Sequence, residues 1–165
     1  IPVIFVWSVQ KNIRIITVKT EKYFSEAKVL FLEYAKELEV DLCFQDFDNE
    51  LEEISKQYNA PSGVLLLLKH KNDCIGCVGL RKAGNGIGEM KRMYIKKEFR
   101  GMGWSKKLIE RLLRDAKKLK YNSVRLDTLP QMKEAVSLYL SFGFKEIHPY
   151  RFNPVEGTKY MELLL

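Results

Sequence analysis

The chain lacks an apolar run long enough to cross a bilayer. Its longest apolar stretches are residues 1–9, interrupted by Ser8, and residues 64–68, whereas a membrane helix needs about 20 residues. Residues 1–9 also lack the basic and small-residue flanks of a signal peptide. We expect residues 1–12 to form an N-terminal tail or an edge strand, residues 13–165 to form one domain, and no membrane to be a partner.

Cysteine and histidine are scarce, with three and two residues in 165. An odd number of cysteines favours free thiols in a reducing compartment, so we expect a cytoplasmic protein. Cys74 and Cys77 form a C-x-x-C pair, but the surrounding run is typical of a strand, in which residues three apart point to opposite faces. With no second such pair, the pattern favours buried thiols over a zinc or redox site.

Two common phosphate-binding motifs are also missing. No GxxxxGK followed by Ser or Thr occurs, which excludes a Walker loop. The glycine-rich residues 84–88 lead into a strand pattern, whereas the dinucleotide fingerprint opens a helix. Residues 84–88 therefore predict a hairpin turn.

The net charge of +7 is distributed unevenly. Residues 21–53 contain eleven acids and three lysines, while residues 91–120 contain twelve basic and three acidic residues. The acidic stretch would suit a cationic ligand and the basic stretch a polyanion, unless both are solvated helix faces. A nucleic-acid surface would interleave aromatic and basic side chains, and residues 106–120 contain no aromatic residue, so we expect no nucleic-acid partner.

The hydrophobic periodicity predicts a mixed α/β order. A helix capped by Thr20 has an apolar face at Ala27, Leu30, Phe31, Tyr34 and Leu38. A shorter helix around residues 51–58 follows it. The remaining elements are predicted as strands at 13–18, 64–68, 75–80, 87–95, 123–128, 144–147 and 159–164, with helices starting near 104 and 135. The fold class is α/β, a mixed sheet flanked by helices in a single domain.

A glycine-rich turn, Arg100-Gly101-Met102-Gly103-Trp104-Ser105, joins a predicted strand to the long basic helix. Two glycines let a ligand approach the backbone, and the free amides at a helix start bind anions such as a pyrophosphate. Arg100, Lys106 and Lys107 add positive charge. An ordinary strand-to-helix turn would use the same glycines, so this segment alone leaves both interpretations open.

The same turn resembles the signature of the GNAT family of N-acetyltransferases: Arg or Gln, two residues, Gly, one residue, then Gly or Ala. Here Ser105 takes the last position. Further segments follow in the family order, at residues 89–95, 124–128, 135–139, 142–144 and 153–158. Met132 stands where many members have Asn. The chain resembles a small bacterial-type member of this family over about residues 13–165.

The resemblance implies transfer of an acetyl group from acetyl-coenzyme A (acetyl-CoA) to an amine, with no metal. It assigns Glu89 as the base, acting directly or through water, although Glu89 could instead pair with Lys91 or Arg92. It assigns Tyr139 as the acid that protonates the coenzyme thiolate, although Tyr139 could instead be a core residue. The implied coenzyme-binding residues are Met93, Tyr94, Ile95, Arg100, Gly101, Met102, Gly103, Trp104, Ser105 and Lys106.

The acceptor implied by the resemblance is a small-molecule amine or a peptide, and the acidic stretch over residues 21–53 predicts that it is cationic. Homodimer formation stays open. Two other functions are compatible with the sequence: a polyanion-binding module that uses the basic stretch, and a sensor that binds coenzyme A without catalysis.

Overall fold

The computed structural model describes residues 12–165, so the tail expected over residues 1–12 lies outside the described residues except for Asn12. The described strands form one seven-stranded sheet in the order β1-β2-β3-β4-β5-β7-β6. All neighbouring strands are antiparallel except β4 and β5, which are parallel. The strands are β1 (Ile13–Thr17), β2 (Val64–His70), β3 (Asp73–Gly84), β4 (Ile87–Ile95), β5 (Ser123–Thr128), β6 (Lys145–Ile147) and β7 (Lys159–Leu164).

The helices follow the predicted order, and the α/β fold class is confirmed. They are α1 (Glu21–Leu38), α2 (Phe47–Glu52), α3 (Ile54–Gln57), α4 (Trp104–Lys118) and α5 (Lys133–Ser141), with short 3-10 turns at Cys43–Gln45 and Lys97–Phe99. One prediction differs, because the single helix expected around residues 51–58 is two helices. The backbone of Glu53, at φ −100° and ψ 20°, leaves the helical region between them.

Helices cover both faces of the sheet. The side chain of Thr20 caps α1 as predicted, accepting a hydrogen bond from the Tyr23 amide. Helix α1 packs Phe24, Ala27, Leu30 and Phe31 on one face of the sheet, together with apolar residues of α2 and α3. Helix α4 covers the other face with its buried residues Trp104, Leu108, Ile109, Leu112 and Ala116. Within the described residues, no helix is long and apolar enough to cross a membrane.

Strands β4 and β5 separate soon after they meet. Their pairing stops at Glu89 and Arg125, while β4 continues to Ile95. A bulge lies just beyond this point, because Val78 of β3 faces two residues of β4, Arg92 and Met93. Arg92 has φ +56°, in the left-handed region. A bulge bends its strand, so β4 turns away from β5 and leaves an opening.

A second bulge corrects the prediction for the two neighbouring cysteines. The register between β2 and β3 shifts at Leu68 and Lys69, which inserts Ile75 as an extra residue. Cys74 and Cys77 therefore pack against the same cluster beneath α1, and not on opposite faces. Both are free thiols, and burial raises the pKa of each. Residues 12–165 contain no group of three or more His, Cys, Asp or Glu side chains that could hold a metal ion.

Candidate functional site

A cleft of about 520 Å³ lies beside the end of β4, where this strand no longer pairs with β5. It is bordered by the end of β4, the start of α4, helix α5 and the last turns of α1. Six of the predicted site residues line it together: Met93, Tyr94, Ile95, Arg100, Ser105 and Tyr139. Residues distant in the sequence thus meet around one cavity.

The glycine-rich turn has the backbone that an anion site needs. Gly101 and Gly103 have φ +74° and +79°, which residues with a side chain rarely adopt. A Cβ atom built at either glycine meets nothing within 4 Å, so the space beside both is open. Gly103 begins α4 without a side-chain cap, which leaves the amide N–H groups of the first turn free to bind a ligand.

The other predicted residues of the turn have different surroundings. Trp104 is 8% exposed and packs in the core under α4, and Met102 packs against the same cluster. These two side chains anchor the turn to the sheet, so any contact with a ligand would be through their backbone. Lys106 is exposed at the start of the helix. The charge of Lys107 lies over the Trp104 ring, 4.2 Å from its centroid.

Arg100 joins the turn to two other elements. Its Nε donates to the carbonyl of Ile95, at 2.7 Å, and its Nη2 pairs with Glu37 of α1. Lys96 pairs in the same way with Glu33. Two carboxylates of the acidic stretch are therefore engaged by the basic stretch, which weakens the reasoning that predicted a cationic acceptor.

The cleft continues inward to a small chamber of about 40 Å³ between β4 and β5. Lys91 and Asp127 line it from the two strands, and both are nearly buried. Lys91 Nζ donates to Gln45 Oε1 at 2.9 Å and lies 3.9 Å from Asp127 Oδ1. The other carboxylate oxygen of Asp127 accepts long hydrogen bonds, each 3.4 Å, from Gln45 and Asn153. Burial lowers the pKa of Lys91 to about 7.

Sequence reasoning missed Lys91 and Asp127 as members of the site. Each is a charged residue within a predicted strand, a pattern that could have drawn attention to them. Their meeting depends on the parallel pairing of β4 with β5, which the sequence pattern does not give.

Tyr139 of α5 lies where the cleft and the chamber meet, and it lines both. Its side chain is 6% exposed and packs against Phe144. Burial raises the pKa of Tyr139, which keeps the phenol protonated at neutral pH and able to donate.

Glu89 is 1% exposed and lies on β4 beside a second groove, of about 650 Å³. Its Oε1 accepts from Arg81 Nε at 3.1 Å, while its Oε2 accepts from the Tyr150 hydroxyl and contacts Arg151. The basic neighbours that the sequence suggested as its partners pair elsewhere: Lys91 lies near Asp127, and Arg92 pairs with Glu50. Glu89 is thus ion-paired, with partners that come from β3 and from the segment between β6 and β7.

Comparisons with known proteins agree with this geometry. Residues 29–144 match the Acetyltransferase (GNAT) family. An N-acetyltransferase of Schizosaccharomyces pombe, described as uncharacterized, is 38% identical over 154 residues, which cover 92% of this chain and 94% of the relative. An acetyltransferase structure from Streptococcus agalactiae matches with a TM-score of 0.77 at 20% identity, over 94% of this chain and 99% of that chain.

Another similar structure, described as a streptothricin acetyltransferase of Bacillus anthracis, was solved in complex with acetyl coenzyme A. It has a TM-score of 0.58 at 22% identity and covers 67% of each chain. The fold and the family match define the class of protein, an acetyltransferase. The chain belongs to the GNAT family, and the resemblance found in the sequence is confirmed.

Proposed function

We propose that this enzyme transfers the acetyl group of acetyl-CoA to the primary amine of a small molecule or peptide. The observation that carries the proposal is the cleft beside the end of β4, which Arg100 and Ser105 of the glycine-rich turn and Tyr139 of α5 line together. The turn offers amides to a pyrophosphate, and the end of β4 lies along the cleft between the turn and the chamber. The groove beside Glu89 gives an acceptor a separate approach.

The residues of the cleft fit the coenzyme. The amides of residues 101–105 would hold its pyrophosphate, with Lys106 adding charge at the helix start. Residues 93–95 would offer backbone groups to the pantetheine arm. The thioester supplies the activated acetyl group, and the open space beside Gly101 and Gly103 leaves room for close approach.

An acceptor amine must lose a proton before it attacks. A lysine-like amine has a pKa near 10.4, so its neutral form costs about 4.6 kcal/mol at pH 7. Glu89 is the base predicted from the sequence, but its carboxylate oxygens are already engaged by Arg81, Tyr150 and Arg151. Lys91 lies in the chamber itself and is partly neutral at pH 7. The geometry therefore supports Lys91 as a second candidate base.

Tyr139 would act as the acid. Its phenolic proton goes to the departing thiolate sulfur, and the acceptor nitrogen returns a proton to the phenolate once the new C–N bond has formed. The reaction as a whole converts the ammonium and the thioester to an amide, a thiol and one released proton. Tyr139 suits this role because it lines both the cleft and the chamber and its hydroxyl stays protonated at neutral pH.

The test combines calorimetric titration of acetyl-CoA with a thiol-release assay on a panel of amines. We expect coenzyme binding, and turnover with at least one amine. Binding without turnover on any amine would favour the sensor. Tight binding of a random oligonucleotide without coenzyme binding would favour the polyanion module, and either result would overturn the proposal.

A further inference from the structure

The groove beside Glu89 has walls of predominantly one charge. Its lining contains four basic side chains, Lys56, Arg81, Lys82 and Arg151, but only two acidic ones, Asp46 and Glu89. The groove lies between the 3-10 turn at Cys43–Gln45, helix α3, strand β3 and the segment after β6. This charge balance bears on which acceptor the groove can hold.

The ion pairs behind the groove leave one positive charge uncompensated. Glu50 and Glu89 are the carboxylates of this network, and they face three arginines, Arg81, Arg92 and Arg151. Glu50 pairs with Arg92 and lies 3.9 Å from Arg81, and Glu89 pairs with both Arg81 and Arg151, so three guanidinium groups share two carboxylates. Burial, followed by the repulsion of Arg81, lowers the pKa of Arg151 to about 10.

The uncompensated charge is on the accessible side. The side chains of Arg81 and Arg151 are 19% and 22% exposed, whereas that of Glu89 is 1% exposed. Within the lining of the groove, the two arginine side chains are thus more accessible to a ligand than Glu89 is. Guanidinium groups in such a position bind a carboxylate through charge-assisted hydrogen bonds.

The groove adjoins the chamber through one residue. Gln45 lines both cavities, and its side chain bonds to Lys91 and Asp127 in the chamber. Lys91 follows Glu89 by two residues on the same strand, a distance of roughly 7 Å. A molecule of amino-acid or short-peptide size could therefore contact the arginines and the chamber together.

We propose that the acceptor is an amine that also carries an anionic group, bound by Arg81 and Arg151, with its ammonium directed to Asp127. The proposal rests on the acetyltransferase function proposed above and specifies its substrate class. It replaces the simple cation expected from the acidic stretch, because Glu33, Glu37 and Glu50 of that stretch are already ion-paired. Arg81 and Arg151 are specificity residues in this proposal.

The experiment compares acceptors that differ only in the anionic group. Leucine and a leucine-containing dipeptide are compared with leucinamide and isoamylamine, and phosphoethanolamine with ethanolamine, by thiol release. We expect kcat/KM to be at least about 10-fold higher for the anionic member, the scale of one lost charge-assisted hydrogen bond. The two series separate a carboxylate from a phosphate as the preferred group.

Substitutions of residues in the groove test whether its basic side chains cause the preference for an anionic acceptor. Arg151→Gln should raise KM for the anionic acceptor about 10-fold or more and remove its preference over the neutral acceptor. Arg151→Lys keeps the positive charge and should retain part of the preference for the anionic acceptor. Lys118→Gln, an exposed change outside the groove, is the matched control and should have no effect. If Arg151→Gln fails to fold, Lys82→Gln in the lining of the same groove provides a second test of the preference for the anionic acceptor.

The outcomes distinguish the two proposals. Thiol release that favours the neutral amines, or a preference that Arg151→Gln and Lys82→Gln leave unchanged, would overturn the anionic acceptor while acetyl transfer stands. No thiol release with any acceptor would instead refute the proposed function.

Discussion

Arg92 holds Glu50 through two hydrogen bonds, from Nε to Oε1 at 3.0 Å and from Nη2 to Oε2 at 2.5 Å. Both side chains are buried, and Tyr58 donates a third hydrogen bond to the same carboxylate at 2.7 Å. Arg92 is also the residue with φ +56° at the bulge of β4. The pair therefore links helix α2 to the point where β4 leaves β5.

We predict that Glu50→Gln destabilises the protein by about 3–5 kcal/mol, because it leaves the Arg92 guanidinium buried without a counter-ion. Urea unfolding at pH 7 measures this loss. Glu53→Gln is the control, since Glu53 forms an exposed pair with Lys56 and should cost less than about 1 kcal/mol. Equal losses for the two variants would mean that the buried pair does not stabilise the fold.

The same pair predicts a pH dependence of stability. Burial alone would raise the pKa of Glu50, but the hydrogen bond and charge of Arg92 outweigh it and the pKa lies below its ordinary value of 4.5. The contribution of the ionised Glu50 carboxylate to stability is present above pH 4.5 and is lost as the pH falls through its pKa in the folded state. The free energies of unfolding of the wild type and of Glu50→Gln, measured between pH 7 and pH 3, should therefore converge at the acidic end of this range. A constant difference would contradict the assignment.

The glycine-rich turn gives a binding prediction. Gly103→Asn should abolish acetyl-CoA binding, because Asn tolerates a positive φ while its side chain would occupy the open space beside the turn. Gly143→Asn is the matched control: Gly143 also has a positive φ, +92°, but a Cβ there meets only Leu163. Calorimetric titration should show lost affinity in the first variant alone. Similar affinities would contradict the proposed pyrophosphate site.

The proposed acid has its own test. Tyr139→Phe should keep the coenzyme affinity and lose about 10²-fold or more in kcat, the usual scale for a general acid. The ring and its packing on Phe144 are preserved, so unfolding by urea should change little. If kcat survives while stability falls, Tyr139 is a core residue and the proton comes from elsewhere.

Much of the fold could be predicted from local patterns. Helix α4, the glycine-rich turn before it and the strands over 87–95 and 123–128 follow from periodicity and turn chemistry, which are properties of neighbouring residues. The bulges could not be predicted, because each depends on the register between two strands. The same is true of Lys91 and Asp127, which meet only because β4 and β5 pair in parallel and then separate.

The remaining prediction concerns which base removes the proton. The groups around Lys91 are the amide of Gln45, the carboxylates of Asp127 and Glu50, and the cations of Arg81 and Arg92. Burial, followed by the repulsion of Arg92, brings the pKa of Lys91 to about 7. If Lys91 is the base, it acts when neutral, and kcat/KM should rise with pH through about 7 and then level off.

Two substitutions at this position separate basicity from charge. Lys91→Arg keeps a cation beside Asp127 but cannot deprotonate near neutral pH, and Lys91→Met keeps the apolar stem without the charge. If Lys91 is the catalytic base, both variants should lose about 10²-fold in kcat, and the rise of kcat/KM with pH near 7 should disappear. If Lys91 is only an electrostatic partner of Asp127, the Lys91→Arg variant should retain activity. If Lys91→Arg is active and Glu89→Gln is not, the base is Glu89, and its ion pairs with Arg81 and Arg151 must then open during turnover.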